Sequence, residues 1–80
     1  MNIREAIADI NPDALLVDGF DAAIIGTSEC MRVVYSIEKM IEVLINDGMN
    51  EEDAWDHLCY NVLCAYVGEF TPIYIHTIDL

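Results

Sequence analysis

Apolar residues return every three or four positions at the start of the chain, at Ile3, Ala6, Ile7 and Ile10. That spacing is one face of a helix and predicts a short helix over residues 2–10. Asn11-Pro12-Asp13 ends it, because proline drives the preceding residue away from helical angles. Two apolar runs follow, ALLVDGF and DAAIIGT, divided by Asp18-Gly19. Either run fits a strand and Asp-Gly fits a hairpin turn; residues 22–26 make the firmer strand. Thr27-Ser28-Glu29 reads as a turn and CMRVVY as a second strand, rich in β-branched residues.

At Ser36 the period changes. Ile37, Met40, Ile41, Leu44 and Gly48 repeat along one helical face, with Glu38, Glu42 and Asn46 on another. Ser36 has the chemistry of an N-cap and Gly48 that of the residue just past a helix end. Asn50 then caps a second helix whose first turn holds Glu51, Glu52 and Asp53, where the helix dipole favours acids. Its expected buried stripe is Trp55, Leu58, Cys59, Val62 and Tyr66. So little chain separates the two helices that they should form an αα-hairpin. Gly68 falls where this period stops, which predicts a left-handed residue ending the helix, and PIYIHTI alternates as a strand over residues 73–77. That strand is expected at a sheet edge, paired with residues 31–35 or 22–26. The fold class that results is α+β: a single domain over residues 1–80, with a small, largely antiparallel sheet against an αα-hairpin and a short N-terminal helix.

Composition sharpens the picture in two ways. Of the 80 residues, 55% are apolar and 22% charged, more grease than a domain of this size hides easily. Either a sheet partly buried on both faces or a homo-oligomer interface accounts for it. A homodimer would place Tyr60, Cys64 or the last strand at the contact. The charge is extreme: fifteen acids face three bases, Arg4, Arg32 and Lys39, for a net charge of −12. Direct nucleic-acid binding needs clustered Lys and Arg and is excluded, and an anionic membrane is repelled. No apolar run is long enough to span a bilayer, and MNIREAIADI lacks the features of a secretory signal. Three cysteines, Cys30, Cys59 and Cys64, make no disulfide framework and fit a reducing compartment.

The run VVYSIEKMIEVLINDGMNEEDAWDHLCYNVLCAYVGEFTPIYI, with DAAIIG upstream, resembles a family of small uncharacterised phage and prophage proteins. The most specific parts are Asp47-Gly48-Met49 and the pattern Ala65-Tyr66-Val67-Gly68-Glu69 with Thr71-Pro72. Cys59 and Cys64 depart from the aromatic or small residues expected there. The resemblance implies a phage accessory protein acting in the bacterial host cytoplasm. It carries over no catalytic residue.

Reactive chemistry finds little support. Asp53 and His57 are four apart and read as an exposed helical pair. Cys59 and Cys64 are about 140° apart around a helix and cannot ligate one metal together. Cys59 reads as a packed hydrophobe, and Cys64 lies among acids that work against a thiolate. Glycine-rich phosphate loops and hydrolase motifs are absent. The expectation is a non-enzymatic protein without cofactor or metal. The acid excess points instead to a basic partner, in particular a nucleic-acid-handling host protein bound by a DNA-mimicking inhibitor such as an anti-CRISPR protein. Carboxylates four apart on a helix lie about 6 Å from each other, the scale of phosphate spacing. Glu38 with Glu42, and Glu52 with Asp56, form such rows; Asp53 and Tyr60 complete the expected partner-binding set. The alternative is a small self-associating structural or regulatory phage protein whose acids serve solubility.

Overall fold

The computed structural model describes residues 2–63 and 68–78. Within them the order is α1 (Ile3–Ile10), β1 (Ile24–Thr27), β2 (Val33–Ser36), α2 (Ile37–Asn46), α3 (Glu51–Leu58) and β3 (Ile73–Ile75). A 3-10 turn at Asp21–Ala23 leads into β1, and a π-helical turn at Cys59–Leu63 continues α3. The architecture is α+β, with the sheet order β1-β2-β3.

Each helix begins in the same way. The side-chain oxygens of Asn2, Ser36 and Asn50 accept the amides of Glu5, Lys39 and Asp53, three residues on. These satisfy donors that the helix itself leaves unpaired. α2 ends in a Schellman closure: the Gly48 amide donates to Ile45 and the Met49 amide to Leu44. Gly48 takes φ +108°, a conformation side chains resist. Two residues later Asn50 starts α3, so the αα-hairpin is built from local signals alone.

The sheet is mixed rather than largely antiparallel. β1 and β2 are antiparallel, with Ile24 opposite Tyr35 and Thr27 opposite Val33. β3 lies parallel to β2, with Val34 opposite Ile73 and Ser36 opposite Ile75. The parallel direction has a visible cause. Arg32 Nε donates to the Thr71 carbonyl at 2.6 Å, so the start of β3 is held beside the start of β2. At the other end Thr77 reaches Ser36, with the two hydroxyl oxygens 3.1 Å apart.

The run of residues 14–20 is not a strand. Phe20 donates to the Val17 carbonyl across Asp18-Gly19, so the expected turn is present but joins no hairpin. The Val17 amide instead donates to the Tyr35 hydroxyl at 2.8 Å. That bond gives the fully buried Tyr35 phenol a partner and ties this segment over the sheet. Asn11 does more than stop α1: its side chain accepts the Asp13 amide and donates to the Met31 carbonyl. It thereby fixes Met31, whose φ is +63°, in the β1–β2 connection.

The core gathers Ile7, Phe20, Ala23, Val33, Tyr35, Met40, Leu44, Ala54 and Leu58 around this frame. On α3 the buried line is Ala54, Leu58 and Val62, with Trp55 half-buried. Cys59, expected on the buried stripe, is exposed. Burial follows the four-residue line 54–58–62, and Cys59 sits about 100° away from Leu58 around the helix. Tyr66 and Cys64 lie outside the described residues.

Gly68 takes φ +136°, the left-handed conformation expected of it, and the residues between Leu63 and Gly68 lie outside the described part. Among the described residues, a β-carbon there would meet only Leu15 Cδ1, at 4.0 Å, an ordinary contact. Gly68→Ala is therefore expected to destabilise the fold by about 1–2 kcal/mol through backbone strain alone. Urea unfolding measures this; an unchanged midpoint would remove the need for a left-handed residue here.

Candidate interaction surface

The acids of the helical hairpin divide into two groups. Glu38, near the start of α2, is turned inward upon the chain. Its Oε2 lies 2.7 Å from His76 Nδ1, while Oε1 accepts the Thr77 amide at 2.7 Å and the Thr77 hydroxyl at 3.1 Å. Because the single hydroxyl proton of Thr77 goes to this carboxylate, the Ser36 hydroxyl supplies the proton between Ser36 and Thr77. Ser36 in turn accepts the Lys39 amide. The result is a continuous relay from the α2 cap to the carboxylate. The His76 ring also lies 6.0 Å from the Trp55 ring, which brings α3 to the same corner. The hydrogen bonds from His76 and then the Thr77 amide hold the Glu38 carboxyl at about 2, well below its ordinary 4.5.

The second group faces water. Glu42, Glu52, Asp53 and Asp56 are all exposed. Glu52 and Asp56 are four apart on α3, and Tyr60, 84% exposed, continues the same interval into the π-helical turn. Asp53 adjoins this row, and Asp47 and Glu51 precede it. No Lys or Arg follows Lys39 in the sequence, so the carboxylates of α3 have no Lys or Arg on their own helix, whereas Glu42 shares α2 with Lys39. The other bases are engaged elsewhere: Arg4 pairs with Asp18 and Asp21, and Arg32 holds the Thr71 carbonyl.

The two rows expected from the sequence thus behave differently. Glu52, Asp53, Asp56 and Tyr60 share one exposed element, and Glu42 presents its carboxylate from α2. Glu38 is spent on internal bonds and separates from Glu42 in role, though the two line the same cleft with Ile25, Lys39 and Thr77. His57, expected to pair with Asp53, instead has Asn61 beside it: the Asn61 amide donates to the His57 carbonyl at 3.1 Å. Among the described residues no group of His, Cys, Asp and Glu is arranged to hold a metal ion. No helix there is long and apolar enough to cross a membrane.

The part that sequence reasoning missed is the corner formed by Glu38, His76 and Thr77. Its only sequence signal is the pair of polar residues His76 and Thr77 following the apolar strand, which says nothing about their partner. Comparison with protein-family models, curated proteins and solved structures finds no match to this chain.

A carboxyl with a lowered folded-state value contributes stability that is complete above its unfolded value near 4.5. That contribution is lost as pH falls from there toward 2. The Glu38 side chain is 41% exposed, so solvent screening reduces the effect to about 1 kcal/mol. Between pH 5 and 2.5 the wild type is expected to lose about that much more stability than Glu38→Gln. Parallel unfolding curves for the two proteins would mean that the clasp contributes nothing.

Proposed function

We propose that this chain is a non-enzymatic binding protein whose acidic helical hairpin engages a basic, nucleic-acid-handling protein. A phage-encoded inhibitor of bacterial defence, acting in the host cytoplasm and competing with DNA as an anti-CRISPR protein would, is the form of this reading that the resemblance favours. The observation that carries it is the exposed row Glu52, Asp56 and Tyr60, flanked by Asp53 and with no Lys or Arg on its helix. Carboxylates at this interval offer a basic groove a spacing close to that of phosphates. An exposed tyrosine at the end of the row supplies the amphipathic anchor that charge alone lacks.

The relay at Ser36 and Thr77 supports the reading indirectly. It fixes the start of α2 and brings Trp55 of α3 into contact with His76, which gives the hairpin a definite pose. A rigid array of like charges loses less entropy on binding than a mobile one. A second reading rests on a different fact: acids also occur on α1 and through residues 13–21, outside the hairpin in sequence. Those at Glu5, Asp9 and Asp13 are explained by solubility alone.

The net charge of −12 should draw a basic partner from a distance, so association is expected to be fast and salt-sensitive. The test captures partners from bacterial lysate at low salt, then titrates the purified partner with DNA. Competition with DNA is expected, with binding weakened as the screening length drops below about 8 Å. Single Glu→Gln changes should be mild. Glu42→Lys and Asp56→Lys combined with Glu52→Gln and Asp53→Asn should abolish binding, and Tyr60→Ala should weaken it about tenfold or more. A partner held equally well in high salt, or alongside its DNA, would overturn the proposal.

A further inference from the structure

The charges of this molecule are segregated. None of the residues in β1, β2 or β3 is charged, and residues 70–78 contain no acid, in a chain of net charge −12. β3 ends the sheet order, and no described strand lies beyond it, so one of its edges has no strand partner there. Ile75 on β3 is 39% exposed, and Ile78 just after it is 83% exposed. The opposite edge differs. β1 carries a register irregularity between Ile24 and Gly26, a feature that discourages pairing with another strand. β3 has no bulge and no charge, and its nearest proline, Pro72, precedes the strand rather than interrupting it.

We propose that β3 is a self-association edge at which two copies of this chain pair β3 with β3 across a two-fold axis. Charge selects the occupant. Two copies that each carry −12 repel least where carboxylates are sparse, and residues 70–78 contain none where the helical hairpin is rich in them. A basic partner has the opposite preference and is drawn to the hairpin. Glu38, an acid that touches this segment, is bonded to His76 and Thr77. A two-fold axis makes the contact self-complementary, so Ile75 and Ile78 of one copy add apolar surface to the same residues of the other. The paired edges also supply each other with the backbone donors and acceptors that an edge strand leaves open. This inference does not depend on the partner proposed above.

Salt gives it a distinctive sign. Screening weakens the repulsion between like-charged copies, so the dimer should tighten as salt rises, whereas a complex with a basic partner should loosen. Sedimentation equilibrium on the full chain, over a concentration series at low and high salt, reads this directly. A mass of twice 9.0 kDa at high concentration, reached sooner in high salt, is expected. Ile75→Glu places like charges across the axis and should raise the dimer dissociation constant at least tenfold. Ile45→Glu, at an equally exposed isoleucine on α2, should leave it unchanged. Should Ile75→Glu fail to fold, Ile78→Glu carries the same expectation at a more exposed position. Amide exchange of residues 73–75 in the wild type should also slow with rising protein concentration. A monomer throughout, a dimer indifferent to these glutamates, or exchange at 73–75 that ignores concentration would each overturn the proposal.

Discussion

Ser36 is the last residue of a strand and the cap of the following helix, with no loop between. Fully buried, its hydroxyl has to serve both elements at once. It accepts the Lys39 amide at the start of α2 and meets the Thr77 hydroxyl just after β3. An unpaired hydroxyl at such a site would cost about 1–3 kcal/mol, so the junction is stable only while its partners stay in place. Thr77 passes the relay on to Glu38, and Glu38 to His76, whose ring meets Trp55. A strand end, both hairpin helices and the C-terminal segment therefore converge on one polar corner.

Arg32 governs the opposite end of the same pair of strands. With its guanidinium on the Thr71 carbonyl, β3 enters beside the start of β2 and leaves beside its end. These two fixed points turn a chain that has just traversed a helical hairpin into a parallel strand. The strands themselves are neutral, and the carboxylates lie on the helices and connections. The acidic hairpin and the uncharged sheet edge are thus two surfaces of opposite character on a small molecule, the first proposed for a basic groove and the second for a second copy.

Local features were the legible part of this fold. Caps at Ser36 and Asn50, the left-handed residues Gly48 and Gly68 and the two hairpin helices follow from side chains a few positions away. What stayed hidden was long-range and polar. Nothing in the spacing of Arg32, Asn11 or Glu38 reveals that their partners are Thr71, Met31 and Thr77. The direction of β3 depended on the first of these, and the inward turn of Glu38 on the last. The apolar run at residues 14–20 misled for a related reason, since its Val17 amide is satisfied by the Tyr35 hydroxyl rather than by a strand. Cys59 shows the limit of a periodic stripe, because a four-residue burial line takes Leu58 and leaves its neighbour in water. For the candidate surface, sequence spacing found Glu52, Asp56 and Tyr60 together but could not separate Glu42 from its internally bonded neighbour.

A double-mutant cycle between Ser36→Ala and Thr77→Val tests the polar corner most directly. If the two hydroxyls act as one unit, the double variant should lose less stability than the two single losses added together. A coupling of about 0.5 kcal/mol or more, measured by urea unfolding at neutral pH, is the expected result. Losses that add to within about 0.3 kcal/mol would show two independent residues and contradict the claim that this corner joins helix, strand and C-terminal segment.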